Sequence, residues 1–295
     1  MSTSSQNLTI VIVTYMSENI IHDCINSISE DVKIIIVDNS KDEKFKKNIE
    51  KQYKNIECIL PNENLGMGAG NNLGIKYVKT DYAFILNPDV ILEKRSIEEL
   101  LISLKKIDTF SIIAPISNLD QFPNYKLGKN HSPDKSDAFK VKSVDGYAMF
   151  LNLKRLNQLK IFKNFKYFDE NLFMYLENDD LCKRLVDSGE NIFIIPKSKI
   201  THLGAKSVNI KYKDEIELSR NWHWVWSKFY YNKKHYGFFT AFLKGLPSFI
   251  SALLKFLFYF FLKRKKSRIY LNRLLGFINA LLGKKSSYRP NLIKN

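Results

Sequence analysis

Several polar residues directly follow short apolar runs of the sequence, and their types suit the binding of a nucleotide and a cation. They are Thr14, Tyr15, Glu18, Asp38, Asn39, Asn87 and Asp89. A carboxylate such as Asp38 at the end of a buried strand can accept hydrogen bonds from a base or a ribose. Asp38 and Asp89 could equally serve as helix-cap or turn aspartates, and taken singly these residues leave both interpretations open.

A glycine-rich stretch over residues 64–72, which includes Gly66 and Asn71, could bind a phosphate group. Glycines at the start of a helix let the backbone approach a phosphate closely and leave amide groups to bind it. No Gly-Lys-Ser or Gly-Lys-Thr follows, so the stretch is not a Walker A motif. Glycine-rich turns are common, and the stretch by itself indicates little.

An acidic cluster at residues 177–180 contains candidates for a general base. Glu177, Asp179 and Asp180 precede a segment with helical spacing, and residues 173–176 just upstream are apolar. Carboxylates held close to a core are candidates for proton transfer. The alternative is that they only complement the helix dipole, which is worth about 0.3–1 kcal/mol each. His202 follows another apolar run, and a lone histidine is more often structural than a ligand.

The elements that position these residues alternate along the chain. Predicted strands lie at 8–14, 33–37, 56–60 and 82–86, and predicted helices near 20–28, 42–53, 67–78 and 96–104. This alternation predicts an α/β fold with a mostly parallel central sheet and helices on both faces. Ligands of such sheets bind beyond the carboxyl ends of the strands, where the polar residues lie.

The alternation loosens after residue 111. The sequence predicts a long loop at 115–137, a strand at 144–152, a helix at 176–188 that Gly189 ends, and strands near 192–195 and 199–201.

The positive charge is confined to the end of the chain. Residues 206–295 contain 19 Lys and Arg against 3 Asp and Glu, and they account for the whole net charge of +16. Residues 238–262 are strongly apolar but are interrupted by Lys244, Pro247 and Lys255. We favour helices lying in the headgroup layer of an anionic membrane over a hairpin packed on the protein or a partner, and over a membrane span.

Several classes of protein fit the sequence poorly. Three scattered cysteines argue against a disulfide framework or a structural zinc site, and we expect a reducing cytoplasm and no secretory signal. No nucleic-acid reader motif accompanies the basic residues, so we expect no nucleic-acid partner. A nucleotidyltransferase would need a basic loop after the first strand, yet residues 15–29 contain no Lys or Arg.

Taken together and in order, the motifs resemble those of glycosyltransferase family 2, which has the GT-A fold, and within it the rhamnosyltransferase-like branch of bacterial surface polysaccharide synthesis. The resemblance covers roughly residues 8–207. The motifs are IVIVTY, IIIVDNS, NENLGMGAGNNLGI, NPD, VDGYAMFLN, FDENLFMYLENDDLCKR and ITHLGAKS.

This resemblance implies roles for individual residues. Thr14, Tyr15 and Glu18 match the first nucleotide-contacting loop, and Asp38 matches the acid that contacts the base or ribose. Asp89 matches the last acid of a metal-binding D-x-D motif. His202 matches the histidine that often completes the site for Mg²⁺ or Mn²⁺. Gly146 and Tyr147 would line the donor-sugar pocket.

Two departures from the family pattern bear on the chemistry. Asn87 stands where the first acid of D-x-D often lies, which removes one carboxylate from the metal site. Asn178 stands where the family commonly has its catalytic aspartate, and an amide cannot take a proton at neutral pH. We therefore expect the base to be Glu177, then Asp180, then Asp179. The departures leave a non-catalytic sugar-binding relative as an alternative.

The resulting prediction is an inverting glycosyltransferase that moves rhamnose, as a first guess from dTDP-rhamnose, to a lipid-linked or polysaccharide glycan. Residues 1–210 form the catalytic domain, with a nucleotide-binding half at 1–115 and an acceptor half at 116–210, and 211–295 form a basic helical tail. Residues 238–285 hold the protein on the inner face of the cell membrane, and homo-oligomerisation is left open. For Trp222, Trp224 and Trp226, packing of the tail is favoured over contact with acceptor sugar.

Overall fold

The computed structural model describes residues 5–118, 123–128, 133–204 and 212–290. The chain divides into two compact units. The sheet unit comprises Met1–Asp169 and Asn178–Asn209, and the helical unit comprises Glu170–Glu177 and Ile210–Asn295. The sequence places residues 170–177 in the predicted catalytic domain, whereas in the structure Glu170–Glu177 belongs to the helical unit.

The main sheet of the sheet unit has the strand order β3-β2-β1-β4-β10-β6-β11-β5, with β8 paired to β11. Its strands are parallel from β3 to β4 and between β6 and β11, whereas β10 runs antiparallel between β4 and β6. The strands are β1 (Leu8–Thr14), β2 (Lys33–Asp38), β3 (Ile56–Ile59), β4 (Tyr82–Leu86), β5 (Val90–Leu92), β6 (Ile112–Ser117), β7 (Tyr125–Lys126), β8 (Phe139–Lys140), β9 (Ser143–Val144), β10 (Ala148–Asn152) and β11 (Ile192–His202).

Among the described residues before the tail there are six α-helices, and their apolar residues cover both faces of the sheet. They are α1 (Ile21–Asn26), α2 (Glu43–Gln52), α3 (Gly66–Ile75), α4 (Ser96–Ser103), α5 (Leu153–Leu156) and α6 (Glu177–Asp187). On β1, Ile10 and Ile12 point into the core shared with α1, α2 and α4, whereas Val11 points into the core shared with α3, α5 and α6. This alternation follows from the period of two residues in a strand, and it confirms the predicted sheet with helices on both faces.

Three predicted strands differ from the structure. The strand expected at 144–152 is divided into β9 and β10 by a turn at residues 145–147. The two strands expected near 192–195 and 199–201 form one strand, β11, whose register against β6 shifts between Ile195 and Lys199. Pro196 lies in this interval and has no N–H to donate to a ladder, which is the physical reason for an irregularity there.

The helical unit consists of α7 (Lys213–Tyr236), α8 (Phe238–Phe260) and α9 (Arg264–Leu281), together with Glu170–Glu177. Trp222, Trp226 and Phe277 are buried in its core. The indole of Trp226 donates a hydrogen bond to the Lys284 carbonyl at 3.0 Å. Trp222 and Trp226 therefore pack the helices together, while Trp224 is 43% exposed.

Helix α8 presents large apolar side chains to the surface of the helical unit, including Phe239 and Leu254, which are 72% and 63% exposed. Among the described residues it is the one helix whose length and composition would allow it to cross a membrane. Length and composition alone do not distinguish a membrane span from a helix lying on a membrane.

Candidate active site

The polar residues predicted to bind the donor lie at one edge of the sheet. Thr14 and Asp38 end β1 and β2 and are partners in the parallel register. The turn after β4 carries Asn87 and Asp89, and β11, which runs parallel to β6, ends at His202. This edge is the carboxyl end of the parallel strands, where α/β sheets bind their ligands.

Asp38 is buried at the end of β2, and both oxygens of its carboxylate accept hydrogen bonds. Its Oδ1 accepts from the Thr14 hydroxyl at 3.0 Å and from the Ser40 amide at 3.2 Å. Its Oδ2 accepts from the Asp42 amide at 3.1 Å. These bonds match the turn-aspartate interpretation, and the contact with a base or ribose stays a prediction. Tyr15 is half-buried and Glu18 is exposed in the loop that follows β1.

Asn39 connects the end of β2 to the start of α3. Its Oδ1 accepts from the Leu65 amide at 3.0 Å, and its Nδ2 donates to the Gly66 carbonyl at 3.2 Å. Gly66 has a φ of +75°, a conformation that a residue with a Cβ adopts only at a cost. The structure thus gives Asn39 and Gly66 a role in shaping the donor edge of the sheet.

Two further glycines of α3 serve the packing of the helix on β1. A Cβ on Gly70 would lie 2.9 Å from Cγ1 of Val13, and a Cβ on Gly74 would lie 2.4 Å from Cγ1 of Val11. Both distances are too short for carbon atoms in contact. The spacing of these glycines therefore reflects close approach of helix and sheet, and not phosphate binding alone.

Three buried oxygens at this edge accept no hydrogen bond from any residue that the structure describes. They are Oδ1 of Asn71, Oδ1 of Asn87 and Oδ1 of Asp89. A buried acceptor without a donor is costly, and such groups in native proteins call for a water, an ion or a ligand. The backbone of Asn87 is held in place, since its N–H donates to the Tyr147 carbonyl at 2.9 Å.

Asp89 and His202 lie side by side because β5 and the end of β11 are antiparallel partners, with Val90 opposite His202. Nε2 of His202 is 3.4 Å from Oδ1 of Asp89, and the Asp89 carbonyl accepts from the Leu203 amide at 3.0 Å. The ring of Tyr147 stacks on the imidazole with centroids 4.0 Å apart and planes 22° apart.

The donor set of this pair fits a divalent cation. Carboxylate oxygen suits Mg²⁺ and Mn²⁺, and imidazole suits Mn²⁺ in addition. The Asp89 oxygen that faces His202 accepts no hydrogen bond from the described residues, so it retains its capacity to coordinate. Within the described ranges there is no group of three or more His, Cys, Asp or Glu placed to hold a metal. The protein thus offers two ligands here.

The acidic cluster of α6 is largely committed to structural contacts. Asp179 accepts from Lys126 Nζ at 2.7 Å and from the Ser143 hydroxyl at 2.8 Å. Asp180 is fully buried and its Oδ2 accepts from Nε of Arg184 at 2.8 Å. A carboxylate that a cationic side chain holds and that solvent does not reach cannot contact an acceptor hydroxyl. This argues against Asp180 as the base and, to a lesser degree, against Asp179.

Asn178, which stands at the position of the family aspartate, also has a structural partner. Its Nδ2 donates to the Val144 carbonyl at 2.8 Å. Gly146 lies directly against it, since a Cβ on Gly146 would be 3.2 Å from the Asn178 Cβ. The start of α6 and the turn before β10 are therefore in close contact.

Asp145 is a carboxylate that the sequence reasoning did not select. Burial raises the pKa of its carboxyl, the nearby Lys126 lowers it, Asp179 raises it and His202 lowers it. It is half-buried, and its amide donates to the Asn124 carbonyl at 2.9 Å. The signal available in the sequence was the position of Asp145 directly before Gly146 in the motif VDGYAMFLN.

The segment that leads to Glu177 is held by the rest of the helical unit. Phe173 stacks on His223 at 4.7 Å, and the Arg289 guanidinium lies 3.7 Å from the Phe173 ring centroid. The Ser227 hydroxyl donates to the Met174 carbonyl at 2.7 Å. These contacts fix the residues immediately upstream of α6.

Tyr175 and Leu176 have φ angles of +71° and +67°. Non-glycine residues in this region cost about 1–3 kcal/mol each and persist where surrounding contacts determine the backbone. Tyr175 packs edge-to-face on Trp224 at 5.3 Å. Glu177, the first residue of α6, thus follows two strained residues that the helical unit holds.

His223 is a buried, neutral part of the same contacts. Its Nε2 is 2.9 Å from the Tyr288 carbonyl and its Nδ1 is 3.0 Å from the Ser286 hydroxyl. Burial lowers the pKa of the His223 imidazole to about 4, opposed by the hydrogen bond to Tyr288 and assisted by the nearby Arg289. The folded protein therefore keeps this ring uncharged at neutral pH.

Two proteins of known function are similar to this chain in sequence. The chain is 28% identical over 213 residues to the low-salt glycan biosynthesis hexosyltransferase of Haloferax volcanii, a match that covers 64% of this chain and 65% of that protein, slightly under two thirds. It is 28% identical over 224 residues to a rhamnosyltransferase of Escherichia coli, covering 65% of this chain and 82% of that protein.

The fold is shared with solved glycosyltransferases. The mannosyltransferase of Pyrobaculum calidifontis in complex with GDP-Man and Mn²⁺ superimposes with a TM-score of 0.55 and 12% identity, covering 95% of this chain and 88% of that one. The predicted GT-A fold is confirmed. The model of the family described as Glycosyl transferase family 2 matches residues 9–177, more than half of the chain. The chain belongs to glycosyl transferase family 2.

Proposed function

We propose that this family 2 glycosyltransferase moves a sugar from a nucleotide-diphosphate donor to a lipid-linked or polysaccharide glycan, with inversion at the anomeric carbon. The observation that carries the proposal is the Asp89–His202 pair at the carboxyl edge of the sheet, whose facing carboxylate oxygen has no hydrogen-bond donor among the described residues. The first candidate donor is dTDP-rhamnose, which the similarity to the rhamnosyltransferase supports.

The donor would lie across the strand ends. Support comes from the Oδ1 atoms of Asn71 and Asn87, which are buried and accept no hydrogen bond from the described residues. A hydroxyl of the ribose or of the sugar would supply the hydrogen bond that each of these oxygens lacks. The residues proposed to contact the donor are Thr14, Tyr15, Glu18, Asp38, Asn39, Gly66, Asn71, Asn87, Gly146 and Tyr147.

Asp89 and His202 are the residues proposed to hold Mg²⁺ or Mn²⁺. With two protein ligands, the remaining positions would be filled by diphosphate oxygens and water, as is usual for cations that act on phosphates. When bound, such a cation neutralises the charge that develops on the leaving diphosphate. Tyr147 orients the imidazole through its ring contact with His202.

Glu177 is the proposed proton acceptor. The carboxylates of Asp179 and Asp180 are held by Lys126 and Arg184, and Asn178 cannot take a proton. Deprotonation of the acceptor hydroxyl lets its oxygen attack the anomeric carbon from the face opposite the diphosphate. One displacement inverts the configuration, and it needs no covalent enzyme intermediate.

The proposed partner of the basic tail is the anionic inner face of the cell membrane, through residues 238–285. The exposed apolar face of α8 and the cations that follow it support this placement. Binding there would confine the enzyme to the plane of a lipid-linked acceptor.

The test of the proposed function is a panel of nucleotide sugars with and without Mn²⁺. We expect one donor to raise the melting temperature in the presence of Mn²⁺ and to be hydrolysed slowly, because a ligand that binds only the folded state stabilises it. Asp89→Asn should abolish both effects. Asp187→Asn is the matched control, since Asp187 is an exposed aspartate paired with Lys183.

Other outcomes separate the alternatives. Donor binding without hydrolysis or transfer under any condition would indicate the non-catalytic relative that Asn87 and Asn178 suggest. Pyrophosphate release from a nucleoside triphosphate and a sugar phosphate would indicate a nucleotidyltransferase. Unchanged hydrolysis in Asp89→Asn would contradict the proposed cation site.

A further inference from the structure

The helical unit contains a cavity of about 290 Å³ that residues from α7, α8 and α9 line. Part of its lining is apolar, from Trp224, Phe229 and Phe277. The rest includes three cationic side chains, Lys228, Lys244 and Arg273, and no acidic residue. The cavity therefore combines an apolar wall with concentrated positive charge.

The three cations have neutral partners. Lys228 lies 5.7 Å from the ring centroid of Trp224, and Lys244 Nζ donates to Asn232 Oδ1 at 3.3 Å. Nε of Arg273 donates to Asn221 Oδ1 at 2.7 Å. Within the described part of the chain, none of the three cations is paired with a carboxylate. Their charge remains available to an anion.

Carboxylates are few in the three helices. Their acidic residues are Asp214, Glu215 and Glu217, all near the start of α7. Lys265 and Arg268 pair with Asp214 and Glu215, at 2.5 Å and 3.3 Å, and Glu217 does not line the cavity. An anion that neutralises Lys228, Lys244 and Arg273 inside the cavity therefore comes from outside the three helices.

The apolar face of α8 indicates what kind of anion this is. Leu243 and Gly245, which flank Lys244, differ in their surroundings: Leu243 is 51% exposed, whereas Gly245 lines the cavity. The exposed apolar face continues to Leu254 and Phe258, which are 63% and 62% exposed. A ligand that satisfies both surfaces has an anionic head and an apolar tail.

We propose that this cavity binds the phosphate headgroup of an anionic membrane lipid, with the acyl chains lying along the exposed face of α8. Lys228 and Lys244 supply ammonium groups to the phosphate, and the guanidinium of Arg273 supplies hydrogen-bond donors in a planar fork. The inference rests on the proposed membrane association and is independent of the transfer reaction. The basic tail as a whole is attracted to any anionic surface, whereas the proposed cavity site is specific for a lipid headgroup.

The experiment measures binding of the full chain to vesicles of phosphatidylcholine, alone or mixed with phosphatidylglycerol. The test variant is Lys228→Gln/Lys244→Gln. The control variant is Lys233→Gln/Lys255→Gln, which removes the same charge from the same two helices. Each control lysine also lies over an aromatic ring, at 5.9 Å from Phe238 and 5.5 Å from Tyr270, and neither lines the cavity.

We expect the test variant to bind phosphatidylglycerol vesicles at least roughly tenfold more weakly than the control variant, which loses only the general attraction of two surface lysines to anionic lipid. Arg273→Gln, which keeps both lysines, should also weaken binding. Equal losses in the test and control variants would overturn the proposal, since charge alone would then explain the attraction.

Inorganic phosphate distinguishes a headgroup site from a site for a free anion. Stabilisation of the parent but not of the test variant by inorganic phosphate, with equal vesicle binding by both, would also overturn the proposal. Donor hydrolysis without vesicles should stay at the parental rate in both lysine variants. A failure of the lipid site is thus distinguishable from a failure of the proposed transferase activity.

Discussion

The imidazole of His202 stacks on the phenol of Tyr147, while its Nε2 lies 3.4 Å from the Asp89 carboxylate. The Tyr147 side chain is in turn hydrogen-bonded to Ser117. The proposed metal ligand His202 thus packs against a ring that Ser117 in turn holds. Such supporting residues commonly change metal affinity by about 10–100-fold when they are removed.

Tyr147→Ala should therefore raise the Mn²⁺ concentration needed for half-maximal donor hydrolysis by roughly tenfold or more. Tyr147→Phe keeps the stacked ring and should change this concentration by less than about threefold. A Mn²⁺ titration of donor hydrolysis measures both. An equal effect of the two substitutions would show that the ring contact is not what orients His202.

Glu177→Gln should lower kcat for transfer by about 10²–10⁴, because a general base contributes that much, while donor affinity stays close to parental. Asp179→Asn is the control, since it removes a neighbouring carboxylate that Lys126 and Ser143 already hold. Steady-state kinetics with a defined acceptor and a donor-binding titration measure the two effects. A larger loss of kcat in Asp179→Asn than in Glu177→Gln would reverse the assignment.

Arg184→Met should destabilise the fold by about 3–5 kcal/mol, because it leaves the fully buried Asp180 carboxylate without its cation. Lys183→Met breaks the neighbouring pair on the same helix, whose Asp187 side chain is 56% exposed, and should cost at most about 1 kcal/mol. Equilibrium unfolding in urea measures both. Similar losses would mean that Asp180 finds another partner or becomes protonated.

Stability should fall as the pH drops from 6.5 towards 4, because His223 has its pKa lowered to about 4 from an ordinary 6.5. Above pH 6.5 the ring is neutral in both states. Below it the unfolded chain binds the proton first, and stability is lost until the pH reaches the folded pKa, by about 3 kcal/mol in total.

His223→Gln removes this titration and should flatten that part of the pH profile, although the variant is less stable at neutral pH. The measurement is the free energy of unfolding against pH for parent and variant. Parallel profiles over this interval would contradict the assignment of the pH dependence to His223.

The grouping of polar residues at one edge of the sheet could be predicted, because local patterns determine the strands. Parallel strands bring their carboxyl ends to one edge, so Thr14, Asp38 and Asp89 had to lie near one another once the strands were recognised. The pairing of Asp89 with His202 also needed the family resemblance, because the antiparallel partnership of β5 with β11 joins residues more than a hundred positions apart.

The acceptor half depends on tertiary contacts that no periodicity reports. The order expected from the sequence for the base is Glu177, then Asp180, then Asp179. The sequence does not predict that Lys126 in a short strand and Arg184 in the next helical turn engage the carboxylates of Asp179 and Asp180. Asp145 precedes a glycine, a position that is also typical of a turn, so the local sequence does not distinguish it from a turn residue. The contacts of α7 with residues 172–175 have no counterpart in the local sequence pattern.

The left-handed pair Tyr175–Leu176 has a bearing on how such enzymes can be re-engineered. A backbone held in this state by Phe173, Ser227 and Trp224 relaxes once those contacts are gone. The C-terminal helices are thus not an interchangeable anchor to be traded for another targeting sequence. A chimera with another tail would take the location of the new tail and would lose the contacts that hold the backbone just before Glu177.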